Sequence, residues 1–154
     1  MIIILLVNNF VFRNEEIHME DLLAPHRPAL VLIAFMVLIV LLQGFVSAFF
    51  RNAVEKFQPG ETLPANHASA TFRQVRAFEN SLENTPLFIL TAALAIAIGV
   101  SAGWIWWTAS IVLVSRALHW FFYTINAPTL RTAAFAAGSF ATLALAVATV
   151  MRAH

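Results

Sequence analysis

Four long apolar stretches, separated by short polar or Gly/Pro-marked breaks, set the pattern of this chain. The first runs from Ala29 to Phe50 behind the breaker Pro25-His26-Arg27-Pro28, and its length suffices to span a bilayer with some tilt. Its later half carries Gln43, Ser47 and Arg51 at four-residue intervals, which places them on one helical face. That stripe has two readings of equal standing: a polar helix end with Arg51 snorkelling to the headgroups, or a face turned toward a site. Residues 52–67 form the one substantial loop, with Pro59-Gly60 as a turn signal and Pro64 as a second breaker. Ser69 or Thr71 then caps a second helix reaching about Gly99. This helix is longer than a membrane requires, so its first turns project beyond the hydrocarbon or line a cavity. Pro86 inside it withholds an N–H from the Leu82 carbonyl and predicts a kink.

Gly99-Val100-Ser101-Ala102-Gly103 makes a short turn, and the third segment extends from Trp104 to about Ile125. Trp104, Trp106 and Trp107 suit a membrane interface. Asn126-Ala127-Pro128 ends this segment, Arg131-Thr132 opens the fourth, and Ala133 to Met151 completes it. Ala134 and Gly138, or alternatively Ala133, Ala137 and Ala141, offer the small-residue spacing that lets helices approach closely; generic alanine-rich composition explains them equally well. Met1–Val7 is too short to span and lacks the cationic start of a secretory signal. Residues 1–24 read as an extension with Met19 as an alternative start, and 25–154 as one four-span membrane domain.

Composition supports the pattern. The 154 residues are 60% hydrophobic and 11% charged, against about 25% charged in soluble domains. The expected fold is therefore an all-α, integral membrane four-helix bundle. A net charge of +1 without a basic run gives no nucleic-acid footprint. The absence of cysteine excludes disulfides, thiolate metal sites and a cysteine nucleophile, so any thiol chemistry needs a thiol from a ligand. Four spans place Arg51, Lys56, Arg73, Arg76, Arg116 and Arg131 on one side, against Arg13, Arg27 and Arg152 on the other. The positive-inside rule then makes the first and third loops cytoplasmic.

The polar residues at membrane depth are the candidate chemistry. At about 100° per residue, Arg73, Arg76, Asn80 and Glu83 fall within about 80° of one another on the second helix. Arg116, His119 and Tyr123 share one face of the third. With Arg51 and Arg131, five arginines converge on one end against Glu83, while Glu79 is expected on a different face. An Arg116–Glu83 bridge is the simplest structural pairing, and the excess cation suits an anionic ligand. The scattered histidines, of which only His119 is expected inside the bundle, give no metal site. No Gly-rich phosphate loop or Ser-His-Asp arrangement is present, and no inverted repeat supports a transporter.

Arg76-Ala77-Phe78-Glu79-Asn80-Ser81-Leu82-Glu83-Asn84-Thr85-Pro86 resembles the second-helix motif R-A-x-x-N-x-x-E-x-x-P of the MAPEG superfamily, the membrane-associated proteins in eicosanoid and glutathione metabolism. Arg116-Ala117-Leu118-His119-Trp120-Phe121-Phe122-Tyr123 resembles its third-helix motif, and Arg131 after Pro128 the arginine opening its fourth helix. The resemblance covers about residues 29–151, differing at Phe78 and by one residue in the spacing from Tyr123 to Arg131. It implies a homotrimer in the endoplasmic reticulum or a bacterial inner membrane, binding glutathione as co-substrate between subunits near the cytoplasmic surface. Arg76, Asn80, Glu83, Tyr123 and Arg131 are the implied glutathione contacts, with Arg51, Arg73 and His119 as additional ones. Arg131, with Thr132 beside it, is implied to stabilise the thiolate. The implied activity is a glutathione transferase or peroxidase acting on lipophilic electrophiles or lipid hydroperoxides. The alternative is a non-enzymatic lipid-binding or scaffold protein of the same superfamily.

Overall fold

The computed structural model describes residues 19–54, 56 and 61–153. The segment upstream of Met19 and the expected turn at Pro59-Gly60 lie outside the described residues. Four long helices make the fold: α1 (Arg27–Phe49), α2 (Ala70–Ala97), α3 (Ala102–Thr124) and α4 (Pro128–Ala153). A short helix, Met19–Leu23, and a 3-10 turn, Ala24–His26, lead into α1. No strand occurs among the described residues.

Local chemistry accounts for the boundaries. Ser69, rather than Thr71, caps α2 by accepting from the Phe72 N–H at 3.2 Å. Thr71 lies within the helix, buried, its hydroxyl without a partner. Gly99 takes φ +77° after α2 ends at Ala97, a conformation that costs glycine little. Pro86 sits inside a helix that remains continuous through it. The fourth helix begins earlier than the sequence predicts, at Pro128, because proline's fixed φ suits a first helical turn and its missing N–H costs nothing there. Beyond Phe49, α1 passes into a π-helical turn, Phe50–Val54, which carries Arg51.

Polar side chains are buried inside the bundle, and large apolar ones cover its outside. Gln43, Ser47, Ser81, Thr85, Ser115, Arg116 and His119 are all buried, whereas Phe45, Phe140, Trp107 and Val150 are each at least 60% exposed. Water would penalise so much open apolar surface, and lipid does not. Two helical runs are long and apolar enough to cross a membrane: Met19–Val54, with an 18-residue stretch of mean hydropathy 2.9, and α4, with one of 1.9. The other two long helices, α2 and α3, carry the polar residues. The Gln43 and Ser47 stripe of α1 faces inward rather than to the headgroups, at 1% and 4% exposure.

The apolar core, at the end away from the arginines, joins Met36, Phe88, Ala92, Ile105, Ala109 and Leu145 from all four helices. The closest packing is between α3 and α4, and small residues allow it. Of the two registers open to α4, Ala134, Gly138 and Ala141 face inward, while Ala133 and Ala137 are exposed. A Cβ at Gly138 would lie 2.3 Å from Ser115 Oγ and 2.8 Å from Arg116 Nη2. Gly138→Ala should therefore cost about 1–3 kcal/mol, as overpacking typically does, and lower the melting temperature in detergent. Gly103→Ala, whose added Cβ meets nothing within 4 Å, should leave it unchanged or slightly raised.

Candidate functional site

The polar faces of α2 and α3 meet the first turns of α4 at one end of the bundle. Arg116, His119 and Tyr123 turn inward from α3 and are 3%, 3% and 7% exposed. The His119 ring stands edge-on to Tyr123, with centroids 5.0 Å apart, and tilted against Phe135 of α4 at 6.0 Å. The Arg131 guanidinium lies over the Tyr123 ring, 4.3 Å from its centroid. A cation over an aromatic face is held in place while keeping its charge, and Arg131 has no carboxylate partner among the described residues.

Two of the expected pairings differ. Arg116 donates from Nη1 to Asn80 Oδ1 at 3.1 Å, so its partner is a neutral amide and not Glu83. Glu83 is exposed on α2, and helix geometry points it away from the inward-facing Arg116. Glu79, expected on a different face from the arginines, accepts from Arg76 Nη1 at 2.7 Å. Spacing of i, i+3 brings two such side chains together, and that signal was present in the sequence. Both partners are more than 40% exposed, so the pair adds little stability. Arg76 also lies within electrostatic reach of Tyr123 and Glu83.

Two other arginines are tied to the backbone. Arg73 donates from Nε to the Tyr123 carbonyl at 3.0 Å, and from Nη1 to the carbonyls of His67 and Ala68 at 2.9 and 2.8 Å. It bolts the incoming loop and the end of α3 onto the start of α2. Arg51 donates from Nη2 to the Glu61 carbonyl at 2.9 Å. With Arg76 and Glu79 it lines a pocket of about 340 Å³ between the π-turn, the loop and α2. Gln74, which the sequence reading passed over, braces α2 to α3. Its Oε1 accepts from Trp120 Nε1 at 2.8 Å, and its Nε2 donates to Thr124 Oγ1 at 3.1 Å.

Arg131 lies one turn inside α4, its N–H bonded to the Ala127 carbonyl at 3.0 Å. Its own N–H is thus spent on the first turn of the helix, which leaves the side chain as the donor there. Thr132 is exposed and donates to the Pro128 carbonyl at 3.0 Å, so it is not brought into the cluster. Phe78, the departure from the sequence motif, packs against Gly44 of α1, with ring atoms 3.2 Å from where a Cβ would stand. No group of three or more histidine or acidic side chains suited to a metal occurs among the described residues.

A helical bundle with an apolar exterior and an arginine-rich polar cluster at one end is the architecture of a membrane protein. The chain belongs to the MAPEG family, which it matches over residues 28–151. No curated protein matches it. The family is broadly associated with glutathione and eicosanoids.

Arg73 generates a structural expectation. Arg73→Ala should free the carbonyls of His67, Ala68 and Tyr123 and loosen the segment before α2. Limited proteolysis should then cut at residues 61–68 at least about tenfold faster than in the wild type, if that segment opens locally as weakly tethered loops do.

Proposed function

We propose that the protein is a membrane-bound glutathione-dependent transferase or peroxidase acting on lipophilic electrophiles or lipid hydroperoxides. The observation that carries this reading is Arg131, a cation with no carboxylate partner among the described residues, stacked on Tyr123 beside a cluster of further arginines. Family membership supports glutathione as the anion. In this reading Arg76, with Asn80, Glu83, Tyr123 and His119 nearby, grips the tripeptide, and Arg51 extends the grip from the mouth pocket. Arg73 shapes the site through its three carbonyl contacts. Arg131 faces the sulfur, with Thr132 beside it in sequence.

The chemistry follows from charge. A free thiol titrates near about 8.5, and an adjacent guanidinium favours the thiolate, the form that attacks electrophiles. The protein's contribution is positioning and anion stabilisation. A lipophilic second substrate reaches the site from the bilayer. Four spans, first and third loops on the cytoplasmic side, and a homotrimer with the site between subunits complete the proposal. The outer stripe of α2, with Arg76 and Asn80 half-buried and Glu83, Leu87 and Leu90 exposed, suits a neighbouring copy.

A specific feature also favours the lipid-binding alternative. A groove of about 340 Å³ between α3 and α4, lined by Trp107, Ile111, Val114, Leu118, Ala134 and Ala137, is almost wholly apolar. It suits an acyl chain whether or not chemistry follows.

Kinetics separate gripping from activation. Arg131→Ala should lower turnover with a model electrophile by about 100-fold, as loss of one oxyanion-type donor does, while glutathione affinity changes much less. Raising the pH should partly restore the rate, because hydroxide then removes the thiol proton. Arg76→Ala should weaken binding and leave the rate near normal at saturating glutathione. Identical profiles for the two variants would show that the division of roles is mistaken, and a wild type without turnover would favour the lipid-binding alternative.

A further inference from the structure

Arg116 is buried to 97% by the remaining 3% of exposure, yet no acidic side chain pairs with it among the described residues. Groups on two neighbouring helices surround its guanidinium. Asn80 on α2 accepts from Nη1 at 3.1 Å. On α4 the Phe135 ring centroid lies 5.4 Å from Cζ, and Gly138 leaves the space that Nη2 occupies. A side chain fixed from three sides cannot adjust to its partner, so the partner must adjust to it.

A guanidinium has only donors. The Asn80 atom facing Arg116 is therefore the amide oxygen, and the alternative orientation would set N–H against N–H. With its oxygen turned inward to Arg116, Asn80 presents its amide NH₂ outward, and no described group accepts from it. We infer that Arg116 is a positioning residue, holding Asn80 so that its amide NH₂ donates to an oxygen acceptor of the bound ligand, a carboxylate or carbonyl. The buried charge adds to the effect, because a cation at the amide oxygen draws electron density from the nitrogen and strengthens its N–H groups as donors. The naming of that ligand as glutathione rests on the function proposed above; the orientation of Asn80 does not.

Asn80→Asp tests this directly, since it is nearly isosteric and replaces the NH₂ by oxygen. The buried guanidinium gains an acid, so the melting temperature without ligand should hold or rise. Glutathione should bind at least about tenfold more weakly, the scale of one lost hydrogen bond to a charged group. Arg116→Gln should raise the KM for glutathione about tenfold with little change in kcat, and Arg116→Lys, which still donates to the amide oxygen, should recover most of the loss. A purely structural Arg116 would instead lower the amount of folded protein and leave the KM of what remains unchanged. Unchanged or tighter glutathione binding by Asn80→Asp would overturn the inference, because Asn80 would then be accepting from the ligand. A lowered melting temperature in that variant would overturn the inward orientation itself. If the wild type does not bind glutathione at all, the proposed function fails, and the melting temperature alone decides the orientation.

Discussion

An arginine cannot escape burial by giving up its proton, so the guanidinium of Arg116 constrains everything packed around it. An unpaired buried charge is expensive, and removing a partner typically costs about 3–5 kcal/mol. In this bundle the guanidinium meets a neutral amide from Asn80, an aromatic face from Phe135 and the bare backbone of Gly138, while its Nε has no hydrogen-bond partner among the described residues. Those contacts fix the register of α2 and α4 against α3. The choice of an amide over an acid also matters, because an acid in that place would neutralise the cation that gives the cluster its character.

The remaining arginines divide by what they bind. Arg73 and Arg51 are tied to backbone carbonyls, which accept without cancelling charge. Arg131 rests on an aromatic ring, which also leaves its charge intact. Among the described residues of the cluster, Arg76 alone forms an ion pair with an acidic side chain, Glu79, and that pair is half-exposed and easily exchanged for another anion. The cluster thus keeps its positive potential while each side chain is held. In the function proposed above, such an arrangement is preorganised toward the anion and needs little rearrangement when it arrives.

Much of this was legible in the chain. Segment lengths and breakers located the four helices, and residue period grouped Arg116, His119 and Tyr123 on the face that proves inward; it grouped Gln43 and Ser47 on one face but left its direction open. What stayed hidden depended on distances between helices. Periodicity brought Arg116 near the polar face of α2 but could not choose between Glu83 and Asn80, which lie one turn apart. The bond from Arg73 to the Tyr123 carbonyl joins residues 50 apart, and no local pattern encodes it. The start of α4 was misplaced because Pro128 read as a terminator when it begins the helix. The Arg76–Glu79 pair is the exception: its spacing was visible, and the weight given to the motif face concealed it.

The central claim is that the arginine cluster receives the carboxylates of glutathione. Calorimetric titration of the detergent-solubilised protein with glutathione, and in parallel with glutathione whose two carboxylates are esterified, tests it most directly. Two charge-assisted contacts of about 1.5–3 kcal/mol each predict that the diester binds at least about 100-fold more weakly. Equal affinities for the two ligands, or no heat with either, would contradict the account.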